Sequence, residues 1–287
     1  MTRRDRTPVI LFAAQIRLWS LAMLNCSPAA QARQYTRCMT DLDLLIDLHL
    51  RNDRQGPGSE TETRRAIDLA RLVPNKQLAI ADIGSGSGAA SLALAKTVSG
   101  HVTAVDFAAP FLESLRERAA SEGLSDRIEP VIGQMESLPF SNAQFDVIWS
   151  EGAIYNMGFA AGLRAWRRFL RPGGIIAVSE LTWTTAQRPA EVASHWNSEY
   201  PEIATASAKL QLVEREGYEP LGVFILPREC WEEHYYEPLR SEFPAFLERH
   251  RNTEAARQIV KAEEAEMALY QDHGHWYSYA FYIARKA

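Results

Sequence analysis

Short apolar runs alternate with amphipathic stretches through the middle of this chain. Apolar runs bounded by glycine or polar residues are typical of buried strands in a parallel sheet. Between them, 110–120 and 160–170 carry apolar residues at helical spacing, which predicts helices packed against that sheet. The five predicted strands lie within residues 79–91, 101–107, 127–140, 145–157 and 170–180. The alternation predicts a doubly wound α/β fold.

The pattern continues less regularly towards the C-terminus. A helix is predicted from Pro189 to Trp196, and a further helix over 204–216 ends at Gly217, a typical C-terminal glycine. Strictly alternating residues over 276–286 predict the last strand. The remaining predicted elements are a sixth strand at 218–227 and two helices at 228–249 and 253–271. We expect this helical pair to form a lid over a substrate.

The N-terminal 38 residues have a different character. Basic residues precede an apolar run at 8–16, and Ala30-Gln31-Ala32 has the form of a signal-peptidase site. Gln15 and Arg17 interrupt the apolar run, so it is too broken to span a membrane. We favour a weakly ordered extension over residues 1–38, with a cleaved signal as the alternative. Residues 39–287 then form the working domain, opening with an amphipathic helix at 41–50.

Composition limits the function classes. The chain has 287 residues, 46% of them apolar, which is enough for one large domain with a substantial core. Its net charge of −5, without a run of basic residues, excludes a general nucleic-acid binder. Three widely spaced cysteines favour neither a disulfide framework nor a zinc site. His273 and His275 form only a short His-x-His pair, which is more often a solvated turn, so we expect no metal.

Three glycines within five residues follow the first predicted strand. The stretch AIADIGSGSGAAS places Asp82 at the strand end, before Gly84, Gly86 and Gly88. Glycine is needed where the backbone turns sharply and where a ligand approaches it closely. The helix that follows directs free N–H groups towards that ligand. The loop therefore predicts a nucleotide-like cofactor, although with Gly84, Gly86 and Ala89 it also fits a dinucleotide-binding fingerprint.

Two acidic residues bear on the choice of cofactor. Asp106 ends the second strand, where a carboxylate can accept hydrogen bonds from two ribose hydroxyls. Dinucleotide folds place an acid at the same point, so Asp106 supports the architecture rather than one cofactor. Asp82 stands where a dinucleotide fold usually carries an apolar residue, and it favours a different family.

Five motifs in a fixed order resemble the class I S-adenosylmethionine (SAM)-dependent methyltransferases, over roughly residues 76–182. They are the D-x-G-x-G-x-G loop at 82–88, Asp106, the Gly133-Gln134-Met135 turn, the 145–157 segment and Leu-Arg-Pro-Gly-Gly at 170–174. Within this family the chain is most similar to the ubiquinone/menaquinone C-methyltransferase-like group. The resemblance implies a seven-stranded Rossmann-like sheet of order 3-2-1-4-5-7-6, its last strand antiparallel, with helical lid insertions. It further implies methyl transfer from SAM to a small molecule in the cytoplasm.

The resemblance also assigns residues to the cofactor. The implied contacts are Asp82, Gly84, Ser85, Gly86, Gly88, Asp106, Phe107, Gln134, Met135 and Ser150. At 134 many family members carry an acid that contacts the adenine amine, and the Gln134 amide oxygen can accept the same hydrogen bond. In related enzymes the N-terminal region folds over the cofactor. Arg54, Gln55 and Gly58 therefore either line that pocket or form a solvated connection.

Candidates for the chemistry follow the later strands. Glu151 is the first choice for a substrate-facing group, because a carboxylate directly after a buried strand is costly unless it is used. Tyr155 is the second, and His195 belongs to the expected lid. An aromatic wall could cradle a planar or cationic acceptor, although packing against the core is the favoured role for its tryptophans. Its members would be Trp183, Trp196, Trp231 and Tyr235.

Two other functions compete with this interpretation. An NAD(P)-dependent oxidoreductase would use a similar sheet, but Asp82 and the Leu-Arg-Pro-Gly-Gly turn disfavour it. A module that senses SAM without transferring the methyl group is the second alternative. The sequence predicts a small-molecule partner, no nucleic acid and no stable membrane association, and it leaves the acceptor atom and oligomeric state open.

Overall fold

The computed structural model describes residues 41–72 and 76–287. The predicted extension at 1–38 lies outside these residues. The first helix, α1, covers 41–49, and a Gly/Pro-containing connection separates it from α2 at Glu60–Ala70. The Ser59 side chain accepts a hydrogen bond from the Glu62 backbone N–H and caps α2, as the Ser59–Glu62 spacing predicts.

A single mixed sheet forms the centre of the molecule. Its strands are β1 Leu78–Ile83, β2 Gly100–Asp106, β3 Ile128–Ile132, β4 Phe145–Ser150, β5 Leu170–Trp183, β6 Ala204–Thr205, β7 Tyr218–Ile225 and β8 Tyr277–Lys286. The order is β3-β2-β1-β4-β5-β8-β7, and β6 pairs with the end of β5. Only β8 runs antiparallel to its neighbours, β5 and β7. The predicted doubly wound order, with its antiparallel last strand, is confirmed.

The sheet differs from the prediction at two points. The two-residue strand β6 was not predicted, because a pair this short has no apolar period, and it makes eight strands in place of seven. The Pro172-Gly173 segment was expected as a turn before the fifth strand, but it forms a bulge inside β5. Phe145 pairs with Leu170 and Val147 with Ile175, so the extra residues loop out between these pairs.

Helices cover both faces of the sheet. They are α3 Ala89–Thr97, α4 Ala109–Ser121, α5 Phe159–Arg167, α6 Ala190–Glu199 and α7 Ala206–Arg215. The expected helical pair between β7 and β8 is also present. Its first member, α8, joins Glu229–Trp231, a π-helical turn at Glu232–Tyr236 and Glu237–Arg249, and the second is α9 at Glu254–His273.

Alternate strand residues build two cores, one on each face. On β4, Val147 and Trp149 belong to the core shared with α3, α4, α8 and α9, whereas Ile148 belongs to the core shared with α5 and α7. Alternation is required because successive side chains of a strand point to opposite faces. Throughout residues 41–72 and 76–287, every helix is too short or too polar to cross a bilayer.

Candidate functional site

The glycine-rich loop crosses the carboxyl end of β1 and is tied to β2. The Gly84 and Ser85 backbone N–H groups both donate to the Val105 carbonyl, at 2.8 and 2.9 Å. Gly84 and Gly86 have φ angles of +76° and +53°, in the left-handed region that favours glycine. A Cβ on Gly84 would stand 2.4 Å from the Ala153 Cβ, so the loop lies directly against the segment after β4.

The Asp106 carboxylate is hydrogen-bonded to the backbone of the glycine-rich loop. Its Oδ2 accepts a hydrogen bond from the Gly86 N–H and its Oδ1 accepts one from the Ala108 N–H, both at 2.9 Å. Burial raises the pKa of Asp106, and these backbone hydrogen bonds oppose that shift. A carboxylate offers about four acceptor positions, so two remain for hydroxyl groups of a ligand.

Asp82 is buried beneath the same loop. Its Oδ2 accepts from the Ser91 hydroxyl at 2.6 Å, and burial raises the pKa of Asp82 to about 7. Among the residues described, Asp82 Oδ1 and Ser85 Oγ have no hydrogen-bond partner. Buried polar atoms of this kind are costly, so they indicate a place where a polar ligand or water belongs.

Apolar side chains stand exposed beside Asp106. Phe107 is 40% exposed and Ile132, at the end of β3, is 62% exposed. Ile132 pairs with Asp106 across the sheet, so both apolar groups flank the carboxylate. Gln134 follows in the exposed turn, and the Met135 Cε lies 3.8 Å from where a Gly84 Cβ would stand. This edge can accept a flat apolar group with a polar rim.

Residues 50–59, between α1 and α2, pack over the glycine-rich loop, and we call them the N-terminal connection. Gln55 Oε1 accepts a hydrogen bond from the Ser87 N–H at 2.8 Å, and Gln55 Nε2 donates to the His49 and Asn52 carbonyls. A Cβ on Gly86 would stand 2.2 Å from Gln55 Oε1. Gln55 therefore contacts the glycine loop, and the connection packs against the loop.

Glu151 joins this connection to the sheet. Its carboxylate accepts hydrogen bonds from Arg54 Nη1 at 2.7 Å, Thr63 Oγ1 at 2.8 Å and Trp149 Nε1 at 2.9 Å. Gly58 lies beside this pair, since its Cβ would stand 2.9 Å from Arg54 Nη1. Through these three hydrogen bonds, Glu151 links the connection and α2 to β4.

Tyr155 lies in the short 3₁₀ helix Ile154–Asn156, and its ring neighbours Tyr200 and Tyr279. Burial raises the pKa of Tyr155. Tyr279 also packs over Gly152, whose Cβ would stand 3.1 Å from its ring. Ser150, by contrast, is fully buried and donates to the Ile83 carbonyl at 2.7 Å, where it joins β4 to β1.

His195 lies on α6. Its ring packs edge-on against Trp196 of the same helix, with centroids 5.3 Å apart. Burial lowers the pKa of His195, and nearby His273 lowers it further. Its observed neighbours therefore lie on α6 and at the end of α9.

Sequence reasoning missed three buried charged residues, Lys209, Glu263 and Glu266. Lys209 forms a fully buried ion pair with Glu180 at 2.7 Å. Glu263 and Glu266 lie buried on α9, between the apolar positions Ile259 and Tyr270. The available sequence signal was that Glu263 and Glu266 occupy positions in the apolar stripe of α9. Within the described ranges, no three His, Cys, Asp or Glu side chains are grouped closely enough to hold a metal ion.

Comparison with known proteins identifies the domain. Residues 80–174 match the family model described as "Methyltransferase domain". The glycine/sarcosine/dimethylglycine N-methyltransferase of Actinopolyspora halophila is 32% identical over 123 residues, which cover 42% of this chain and 21% of that relative. The ubiquinone/menaquinone biosynthesis C-methyltransferase UbiE of Geotalea daltonii is 27% identical over 120 residues, 42% of this chain and 51% of that one. The chain thus spans about half or less of the length of these curated relatives.

Solved structures share the fold over a larger part of the chain. A SAM-dependent methyltransferase from Geobacter sulfurreducens, crystallised with S-adenosyl-L-homocysteine, superposes with a TM-score of 0.74 at 20% identity. The match covers 84% of this chain and 98% of that one. The shared fold therefore extends well beyond residues 80–174.

Proposed function

We propose that the chain is a class I SAM-dependent methyltransferase, as the family match at residues 80–174 supports, and that it transfers a methyl group from SAM to a small-molecule acceptor. The observation that carries the proposal is the glycine loop with its two acids. Gly86, Asp82 and Asp106 form a cradle with a close backbone approach, an unpartnered carboxylate oxygen and a second carboxylate with spare acceptor positions.

These residues fit SAM. We assign the ribose hydroxyls to Asp106 and the adenine to the edge made by Phe107, Ile132 and Gln134. We assign the polar amino-acid end of SAM to the loop itself, where Ser85 Oγ and Asp82 Oδ1 have no hydrogen-bond partner among the described residues. The predicted contacts of Gly84, Gly88 and Met135 remain part of this proposal. In this proposal Ser150 supports the cofactor site indirectly, because its hydroxyl already donates a hydrogen bond to the Ile83 carbonyl.

SAM supplies a methyl carbon that its sulfonium already activates. The protein then has to align the acceptor with that carbon and exclude water. In this proposal Glu151 is a positioning residue, because its three hydrogen bonds fix the connection that covers the loop. Tyr155 is the group that meets the acceptor, since it lies in the segment directly against Gly84. The role predicted for His195 stays a prediction, since its recorded contacts are Trp196 and His273.

The acceptor is a small molecule, in keeping with the curated relatives. Two of these are named for N-methylation of glycine derivatives and for ubiquinone/menaquinone biosynthesis. We place the reaction in the cytoplasm, where SAM is supplied.

Calorimetric titration of the full chain with SAM, S-adenosylhomocysteine and NAD tests the proposal. We expect micromolar binding of both sulfur nucleotides and none of NAD. Incubation with methyl-labelled SAM and a pool of small metabolites then has to give labelled product. Binding of NAD alone would refute the proposal, while SAM binding without any transfer to the pool would favour a SAM-sensing module.

A further inference from the structure

Two carboxylates are buried under the helical pair α8–α9. Glu263 and Glu266 of α9 are 4% and 8% exposed. Tyr236 donates to Glu266 Oε1 at 3.1 Å, and His49 Nε2 lies 3.4 Å from Glu263 Oε1. Glu263 Oε2 has no hydrogen-bond partner among the residues that the structure describes. A buried acceptor without a donor is costly, and a ligand that brings a donor or a positive charge would offset that cost.

Tyrosine rings surround these carboxylates. The π-helical turn Glu232–Tyr236 turns two consecutive residues inwards, so that Tyr235 and Tyr236 are both buried. Burial is the main cause that raises the pKa values of several tyrosines, and the charge of Glu266 is a further cause for each of them, which places them near that carboxylate. They are Tyr155, Tyr235, Tyr236, Tyr277 and Tyr279. We call Glu263, Glu266, Tyr155, Tyr235, Tyr236 and Tyr279 the acidic tyrosine cluster.

The fold treats another buried acid differently. Glu180 is paired with Lys209 at 2.7 Å, and neither side chain is exposed. Over the described part of the chain, Glu263 and Glu266 form no ion pair with any lysine or arginine, and their only ion-pair partner is His49. The chain thus neutralises Glu180 internally but leaves the α9 acids without a permanent cation.

The cluster adjoins the cofactor loop. Tyr155 and Tyr279 neighbour each other, with ring centroids 6.4 Å apart, and Tyr279 packs over Gly152. Ala153, the next residue, lies directly against Gly84 of the loop. Tyr155 and Tyr279 are only half-buried, so both rings keep some accessible surface between the loop and the acids.

We propose that the acidic tyrosine cluster binds the positively charged nitrogen of a small organic cation, either an amine or a quaternary ammonium, and so selects the methyl acceptor. This inference rests on the proposed methyl transfer only in identifying the bound cation as the methyl acceptor. Carboxylates supply the opposite charge, and tyrosine faces attract a cation through the ring quadrupole. Aromatic rings suit an organic ammonium, whereas a metal ion would require more ligands than two carboxylates supply, and no group of three His, Cys, Asp or Glu side chains within the described ranges could hold one.

A matched pair of probes tests the charge requirement on the full chain saturated with S-adenosylhomocysteine. Choline and 3,3-dimethylbutan-1-ol share one shape, but only choline is charged. Propylammonium and propanol form a smaller pair. We expect at least one cation to bind about tenfold or more tightly than its neutral partner in calorimetry. Equal affinities within both pairs, or no binding of either cation, would overturn the proposal.

Variants locate the effect. Glu263→Gln and Glu266→Gln should each weaken the preferred cation by about tenfold or more, while Glu264→Gln, an exposed acid on the same helix, should leave it unchanged. S-adenosylhomocysteine affinity is measured in every variant and should not move. Loss of cation binding with nucleotide binding intact separates this inference from the proposed function. Cation binding that survives both α9 variants would place the cation elsewhere and refute the assignment.

Proton release gives a test on the wild-type protein, which does not depend on whether a variant folds. Burial and the neighbouring Glu263 raise the pKa of Glu266 to about 8, although the Tyr236 hydrogen bond opposes this shift. Glu266 therefore holds a proton at pH 7, and a bound cation should expel it. The groups facing it are Glu263, His49, Tyr155, Tyr235, Tyr236, Tyr277 and Tyr279. Binding enthalpies should then differ between phosphate and Tris buffers, and identical enthalpies would contradict the proposal.

Discussion

The Gln55 side chain takes the space that a side chain on Gly86 would need. Its Oε1 lies 2.2 Å from the position of a Gly86 Cβ and accepts the Ser87 N–H at 2.8 Å. The glycine therefore serves two purposes, a left-handed turn and close contact with the N-terminal connection. A residue distant in sequence thus completes the loop.

Gly86→Ala should abolish SAM binding and cost about 1–2 kcal/mol of stability, because alanine at this positive φ is strained and its methyl group displaces Gln55. Gly123→Ala is the matched control, since Gly123 has φ +70° but open space around its Cβ. It should show the strain cost and keep full SAM affinity. Calorimetry and urea unfolding of both variants provide the check, and equal SAM affinities would disprove the placement of the loop.

Glu151→Gln should lower stability by about 1–3 kcal/mol, because it leaves the half-buried Arg54 guanidinium without its ionic partner. If Glu151 acts through Arg54, then Arg54→Met and the double variant should lose similar SAM affinity, so the effects are not additive. The double-mutant cycle in SAM binding measures this coupling. Strict additivity, with kcat reduced only by the Glu151 change, would instead support a direct role in catalysis.

Ligand-free protein should become less stable as the pH rises from about 4 to about 7. Burial raises the pKa of Asp82 from 3.8 to about 7, so within this window the folded state holds a proton that the unfolded chain has released. The stabilisation is complete below the unfolded pKa and is lost as the pH passes through the folded value. At about 1.4 kcal/mol per pH unit it amounts to at most about 4 kcal/mol.

Asp82→Asn removes this titration and can keep the hydrogen bond from Ser91. Urea unfolding of wild type and variant at pH 5, 6, 7 and 8 should therefore show a stability difference that shifts towards the variant up to about pH 7 and then levels off. A difference that stays constant across this range would exclude the raised pKa.

Lys209→Met should destabilise the protein by about 3–5 kcal/mol, because it leaves Glu180 buried without its cation. Adding Glu180→Gln should recover part of this loss. Lys96→Met is the surface comparison, since the partly exposed pair with Glu122 is worth about 0–1 kcal/mol. Chemical denaturation of the three variants decides the matter, and equal losses for Lys209→Met and Lys96→Met would show that burial does not set the energy.

Local pattern predicted most of the architecture. Helix α4 spans Ala109–Ser121 against a predicted 110–120, and strand β8 spans Tyr277–Lys286 against 276–286. Such elements follow from the period of apolar residues and from caps such as Ser59, which depend on neighbours within a turn or two. The two-residue strand β6 and the bulge at Pro172-Gly173 could not be found this way, because each depends on a partner strand.

The candidate site can also be divided into parts set by local sequence and parts set by tertiary contacts. The sequence alone determined the strand–glycine loop–helix unit, with Asp82 and Asp106 at the ends of adjacent strands, because parallel strands bring their carboxyl ends to one edge. The tertiary structure alone decided that Glu151 holds Arg54, that Gln55 covers Gly86 and that two α9 acids meet tyrosines from three other elements. Those contacts join residues up to 214 positions apart, as between His49 and Glu263, and chain packing, which no local period encodes, creates them.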